Sequence, residues 1–435
     1  MKLQVEKELV CVHVISIILV IISILIFILF VPISYTMLGF WLSETGLFLI
    51  VFTLSLCIAS IVRIIYYIQI GIFSTDFYSL LVIILFNLFT TSRLLSPFLY
   101  LRVTNKKLQE SMKNYLGDNY LSEIDENIEV RYFKEVRFSL LAYYKEIRKK
   151  HDAKITIMKN IEYTTTKKEK YGYLNAYIPK KEGKFPVIIF LHGGAWILGS
   201  KDYLRHERIC KLLANLGYSV FNINYQLISL NSLLKERSIL KYQPEMNEMI
   251  RDLNEAIQFV KDHSLEYKVR TEKLFLFGRS AGGHLVLLTS FLRQEKDILG
   301  VVGLYPVTEL SGMYHFFEQK HKIAFKVIDQ STMDKNKLND FFKLFSPLEY
   351  VTEKNKENIP PIFLAIGLKD NLVNPQQSEK LFAKLQELGI TSVILKLPWA
   401  NHSFDSIISG PGGQLVIKYL SQFLAWVLST QKESS

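Results

Sequence analysis

Cysteine is scarce in this chain, with three in 435 residues. Cys11 and Cys57 stand in apolar runs, and Cys210 is alone in the more polar remainder. No internal disulfide can staple that remainder, so cysteine says nothing about the redox compartment. There is no Cys-x-x-Cys and no Cys/His grouping at ligand spacing, which removes a zinc or iron–sulfur framework. No metal and no organic cofactor is implied. No internal repeat or low-complexity tract occurs either. Charge of one sign is not concentrated: the formal net charge is +11, yet Lys and Arg come as scattered pairs such as Lys106-Lys107, Lys149-Lys150, Lys167-Lys168 and Lys180-Lys181. That is the pattern of a solvated surface, so no nucleic-acid partner is expected. Several pairs follow the apolar N-terminal third, which makes attraction to anionic membrane lipid the better functional reading of the basic excess.

Charge is missing altogether from Leu9 to Val31, and Glu44, Arg63 and Asp76 are the only charged residues between Leu9 and Ser92. At about 1.5 Å per residue the first run crosses a hydrocarbon core of about 30 Å. Further spans are expected near 46–67 and 77–95, which makes residues 1–100 an all-α transmembrane region of about three helices. The first run is too long for the apolar part of a cleaved signal peptide, no small-x-small site follows it, and more spans come after. His13 within it is read as a polar residue facing another helix. A multi-pass location, at the cell membrane, follows. The side on which the rest of the chain lies is left open, because Lys2, Lys7 and Arg63 oppose the cluster Arg102, Lys106, Lys107 and Lys113. Residues 101–150 have helical spacing in two stretches, Leu108 to Leu116 and Val130 to Tyr144, broken at Gly117-Asp118-Asn119. They are expected to be a helical linker.

From residue 151 to 435 strands and helices alternate. Ile155–Tyr163 and Tyr171–Ile178 read as a hairpin. Phe185-Pro-Val-Ile-Ile-Phe-Leu191 is a continuous apolar run, as in a buried parallel strand. It ends in His192-Gly193-Gly194-Ala195-Trp196, where two glycines leave backbone N–H groups free to face a ligand. Leu274 to Phe277 is another strand, followed by Gly278-Arg279-Ser280-Ala281-Gly282 and an apolar helix. Strand, Gly-x-Ser-x-Gly, helix is the pattern of a nucleophile elbow, in which a sharp turn lifts a serine above a sheet. The flanking positions must be glycine because any side chain there would meet the neighbouring strand or helix.

His-Gly-Gly-x-Trp followed by Gly-x-Ser-Ala-Gly-Gly-His resembles the esterase branch of the α/β-hydrolase superfamily, which includes the hormone-sensitive-lipase-like and BD-FAE carboxylesterases. Trp196, where lipase-like members usually carry a third glycine, points to the BD-FAE and kynurenine-formamidase side. Asn224-Tyr225-Gln226-Leu227 is similar to the family's Asn-Tyr-Arg-Leu, with Gln226 in place of the arginine. The resemblance covers roughly Lys154 to Leu428. It implies a mostly parallel central sheet flanked by helices, an α/β fold, with the catalytic domain at 151–435. It also implies an acyl-transfer site in which Ser280 is the nucleophile, His402 the base and Asp370 the group that orients it. Gly193, Gly194 and Ala281 would supply the oxyanion hole. Trp196 and His192 are expected at the substrate pocket. Asp370 fits the family's strand–Gly-x-x-Asp-x-x-Val, with Glu349 and Asp405 as competing acids; Asp405 reads more simply as a cap. His315 and His321 precede the acid and are read as lid or surface residues. Segments 229–241 and 307–345 are expected to form a rim and a wall over the pocket.

The function expected from this is a membrane-anchored serine hydrolase that cleaves small-molecule, lipid or polysaccharide acyl esters. An amidase, formamidase or acyltransferase on the same site stays open, as does a non-catalytic membrane receptor or scaffold on a hydrolase fold.

Overall fold

The computed structural model describes residues 39–69, 75–128, 154–164, 171–229, 242–293, 295–320 and 335–430, with Ile18 and Gly71 besides. The expected first span, the second linker helix at 130–144 and most of the expected rim segment 229–241 lie outside the described residues, as does His321.

The apolar runs become one sheet. Its strands are β1 (Ile155–Glu162), β2 (Tyr173–Pro179), β3 (Phe185–Leu191), β4 (Ser219–Ile223), β5 (Val269–Arg279), β6 (Ile298–Leu304), β7 (Ile362–Gly367) and β8 (Ser392–Leu397). The order across the sheet is β1-β2-β4-β3-β5-β6-β7-β8. The first hairpin is antiparallel, β2 is antiparallel to β4, and all pairs from β4 to β8 are parallel. Every residue of β3 and β7 is buried, because parallel strands are covered on both faces. Alternate side chains serve opposite layers. Val187, Ile189, Leu274 and Leu276 face one core, while Ile188, Phe190, Phe275 and Phe277 face the other. The parallel register pairs Leu191 with Gly278, Arg279 with Leu304 and Gly367 with Leu397, so these strands end together along one rim.

Two long helices precede the sheet, α1 (Gly39–Gln69) and α2 (Thr75–Leu116). They pack against each other, and Thr53 meets Thr91 hydroxyl to hydroxyl at 2.7 Å. Among the described residues one helix is long and apolar enough to cross a membrane, Phe77–Leu116, and the apolar part of its neighbour, Thr53–Gln69, runs beside it. Their outward side chains are bare: Ile58, Val62, Val82 and Leu85 are each more than 60 % exposed. The expected boundary between a membrane region ending at 100 and a linker beginning at 101 is not a structural break. α2 runs through it without interruption and ends at the predicted Gly117, whose φ is +102°. Its last part, with Leu101, Leu108, Met112 and Leu116, is buried in the core beside β8 rather than bridging to it.

The remaining helices are α3 (Leu204–Asn215), α4 (Gln243–Asp262), α5 (Ala281–Leu292), α6 (Leu310–Lys320), α7 (Lys335–Leu344), α8 (Pro375–Glu387) and α9 (Pro411–Thr430). α4 starts with Pro at its first turn and turns Met246, Met249, Leu253 and Val260 inward. Asp252 on the same face is fully buried and accepts from the Gln226 N–H at 2.7 Å, so it packs helix to loop. In the expected wall segment, α6 and α7 bring Tyr314, Phe341, Phe342 and Phe345 into the main core.

Candidate active site

Ser280 follows the last residue of β5 and precedes the first of α5. Its φ of +53° and ψ of −120° lie outside the regions an L-residue favours. The bend is held because Ser280 N–H donates to the Leu304 carbonyl at 2.9 Å and Ser280 C=O accepts from His284 N–H at 2.9 Å. The two glycines are obligatory on steric grounds. A Cβ on Gly278 would lie 2.1 Å from the Gly282 carbonyl oxygen, and one on Gly282 would lie 2.4 Å from the Leu191 oxygen. Ser280 is left partly exposed at the end of the strand.

The other two expected members arrive from loops after β7 and β8. His402 Nε2 lies 2.9 Å from Ser280 Oγ, and His402 Nδ1 lies 2.7 Å from Asp370 Oδ2. A carboxylate only accepts, so Nδ1 carries the proton and the Nε2 lone pair faces the serine hydroxyl. Asp370 is fixed by the Leu372 and Val373 N–H groups, which donate to its Oδ1 at 2.9 and 2.8 Å. Asn401 Oδ1 accepts from His402 N–H at 2.7 Å and from Asn371 N–H at 3.2 Å, tying the two loops together. Asp370 and His402 are buried, and the Tyr305 ring lies against the imidazole at 4.4 Å. Glu349 sits in the 3-10 turn Pro347–Tyr350.

The Gly193 backbone comes directly against the nucleophile: a Cβ there would be 2.8 Å from the Arg279 oxygen and 3.0 Å from the Ser280 Cβ. Ala281 opens α5, where the first N–H groups have no acceptor within the helix. An anion formed beside Ser280 would therefore meet backbone donors and the positive end of a helix. His192 and Trp196 are both buried and bonded to protein groups. His192 Nδ1 is 3.0 Å from the Gly193 oxygen, and its ring stacks on Tyr225 at 4.5 Å. Trp196 Nε1–H donates to His284 Nδ1 at 3.2 Å, and His284 Nε2 lies 2.6 Å from the Phe345 oxygen. Both side chains are thus tied to neighbouring protein groups. Burial lowers the pKa of His192 and of His284 to about 4 in each case.

A group that the sequence did not disclose lies behind the serine. Arg279, the variable residue of the pentapeptide, donates from Nη2 to Asp405 Oδ1 at 2.7 Å and from Nε to the Tyr305 hydroxyl at 2.9 Å. The Tyr305 hydroxyl also bonds Asp405. Burial alone would depress the Arg279 pKa, but Asp405 and Tyr305 outweigh it and the guanidinium is held charged. Asp405, read from the sequence as a cap, thus closes a buried ion pair next to the His402 loop. Among the described residues no cluster of His, Cys, Asp or Glu could hold a metal.

Comparison with known proteins agrees with this architecture. The family model for BD-FAE matches residues 174–385. A probable carboxylic ester hydrolase, LipM, of Mycobacterium tuberculosis is 25 % identical over 267 residues, covering 58 % of this chain and 57 % of that protein. A probable isoprenylcysteine alpha-carbonyl methylesterase of Oryza sativa subsp. japonica is 27 % identical over 259 residues, covering 55 % of each. The chain thus spans little more than half the length of these relatives. Among solved structures, a truncated carbohydrate esterase from gut microbiota has a TM-score of 0.50 at 19 % identity, covering 64 % of this chain and 99 % of that one. Esterase B of Lactobacillus rhamnosis has a TM-score of 0.50 at 19 % identity, covering 66 % and 90 %. The fold is that of the α/β-hydrolases.

Proposed function

We propose that this chain is a membrane-anchored serine hydrolase that cleaves carboxylic esters through an acyl-enzyme. The observation that carries the reading is the hydrogen-bonded line Ser280–His402–Asp370 at the tip of a strained elbow. His402 Nε2 takes the Ser280 proton as Oγ attacks the acyl carbonyl, and Asp370 stabilises the imidazolium. The N–H groups of Gly193, Gly194 and Ala281 receive the oxyanion. Such a donor is worth about 3 kcal/mol of barrier. The alcohol leaves with the proton from His402. Water, deprotonated by the same nitrogen, then releases the acid. The names of the relatives support ester rather than amide chemistry. Anchoring is supported by the bare apolar helices α1 and α2, which a water-facing protein would have to expose. Residues 1–100 would hold the chain in the membrane, and residues from 151 onward would carry the chemistry.

A fluorophosphonate probe tests the reading. The intact protein should label at Ser280, Ser280→Ala should not label, and His402→Ala should label at least a hundredfold more slowly. Lys369→Ala, one residue from Asp370 but exposed, should label like the unsubstituted chain. An intact protein that resists labelling and hydrolyses no p-nitrophenyl ester would remove the proposal.

A further inference from the structure

We propose that the carboxyl rim of the sheet, where Ser280 opens, faces the lipid bilayer, and that its ester substrate is an amphiphile resident in that bilayer. The substrate half of this rests on the ester-hydrolase reading of Ser280. The orientation half does not.

The direction of α2 carries the argument. Within the domain, Ser111 Oγ donates to the Ile394 carbonyl of β8 at 3.2 Å, and Tyr115 meets Phe382 of α8 edge-on at 4.8 Å. Along α9 the partners advance in step with the chain. The Tyr419 hydroxyl donates to the Asn105 carbonyl at 2.7 Å, the Tyr120 hydroxyl to Gln422 Oε1 at 2.7 Å, and Trp426 Nε1 to Glu123 Oε2 at 2.7 Å. Asp125 N–H then donates to Ser429 Oγ at 3.0 Å. α9 begins at Pro411, packs against the turn Phe404–Ser406 after His402 and meets Glu126–Ile128 further along, while Ser111, beyond Asn105 in α2, bonds β8 near its start. Residues of α2 before Asn105 therefore lead back to the rim and out beyond it. α1 agrees, because it lies against the turn Phe404–Ser406, two residues after His402.

The apolar part of α2 thus leaves the domain on the side where the triad sits. The stretch expected to span, Phe77 to Leu95, ends about 9 Å along the helix axis from Leu101, the first of its residues in the domain core, with Pro97 between them in the continuous helix. A bilayer holding that stretch has its surface next to the rim. The rim is dressed for such a neighbour. Leu198 and Leu204, on the segment after β3, are 55 % and 61 % exposed, and Leu368, after β7, is 43 % exposed. Tyr203 is exposed beside them, at 45 %. Leu198, Tyr203 and Leu204 follow the glycine loop in the chain and Leu368 stands two residues before Asp370, with Asp202 and Lys369 exposed among them; lipid would cover the apolar ones where water would not. An ester dissolved in water would gain nothing from a rim held against lipid. An ester on an amphiphile in the leaflet that covers the rim would be held beside Ser280.

The full chain in phosphatidylcholine vesicles separates the possibilities. An environment-sensitive label is placed through Leu204→Cys and Leu368→Cys at the rim, and through Leu265→Cys at the opposite edge, with the unsubstituted chain as background. Doxyl-labelled lipid should quench the two rim labels at least threefold more than the Leu265 label, which sits on a side chain 79 % exposed. Equal quenching at all three would overturn the orientation. With 4-methylumbelliferyl oleate in the vesicles, the rate should follow the mole fraction of ester in the lipid and fall as inert lipid dilutes it at constant bulk concentration. A rate that follows bulk concentration alone would overturn the substrate class. Failure of Ser280 to label would instead bring down the hydrolase reading, while the quenching result would stand.

Discussion

At the scale of single residues, the ion pair behind the nucleophile sets the strictest demand. Arg279 and Asp405 are 126 positions apart and both nearly inaccessible to solvent. A buried pair adds little net stability, but removing one partner leaves a bare charge in a poor solvent and costs about 3–5 kcal/mol. Asp405→Asn is therefore expected to lower the unfolding midpoint strongly. It should also lower kcat more than it changes KM, because Asp405 braces Tyr305, whose ring abuts His402. The double replacement Arg279→Met with Asp405→Leu removes both charges at similar volume and should recover most of the lost stability. A double variant no more stable than Asp405→Asn alone would show that the charge is not what matters. Ser280, Asp370 and His402 could be named as candidates in the sequence because each follows a strand inside a local pattern. The Arg279–Asp405 pair could not, since nothing local links a pentapeptide to a residue beyond the last strand.

At the scale of elements, the glycine loop after β3 is held by two neutral imidazoles. His284 Nδ1 accepts from the Trp196 N–H, so a proton on that nitrogen would break the bond. His192 lies under the loop, and its carbonyl accepts from the Tyr225 hydroxyl at 2.8 Å. Both groups titrate near 4 when folded against an ordinary value of 6.5. Between those values the unfolded chain binds more protons, so stability rises with pH and is lost on acidification from 6.5 towards 4. Each histidine should make the fold about 2 kcal/mol less stable at pH 5 than at pH 7. Urea midpoints of the detergent-solubilised chain at the two pH values measure this. His284→Gln, which keeps a hydrogen-bonding side chain but cannot titrate, should lose about that much of the acid sensitivity. An unchanged pH dependence in that variant would mean that the imidazole takes a proton without cost. The strands were readable because continuous apolar runs between turn residues have few other solutions. Helix α2 reads as two parts in the sequence. Its composition changes from apolar to polar near residue 100 and Pro97 stands inside it, yet the helix continues to Leu116, just before Gly117. A change of surroundings is not a change of conformation.

At the scale of the whole molecule, that helix bears on where the folded unit around the sheet begins. A chain started at residue 151 would keep every strand and every member of the site. It would also lose Leu101, Leu108, Met112, Leu116 and Tyr120, which are buried against β8 and α9. Burying an apolar side chain of this size is worth about 2 kcal/mol, so the five together amount to about 10 kcal/mol, as much as the whole net stability of a typical domain. Their loss would also uncover β8, the last strand of the sheet, along the side where Ser111 bonds Ile394. A bare edge strand invites pairing with another chain. A chain started at residue 97 keeps the docked part of α2 and discards the stretch that would lie in lipid. The expected outcome is that the 97–435 chain elutes as a discrete species and labels with fluorophosphonate, while the 151–435 chain aggregates or elutes in the void volume. Restoring residues 97–128 as a separate peptide should not rescue the shorter chain fully, because association then pays the entropy that the covalent link removes. A 151–435 chain that is monodisperse, labels at the full rate and unfolds at the same urea concentration would mean that the helix merely leans on the domain. The anchor and the enzyme would then be separable at the boundary that the composition suggests.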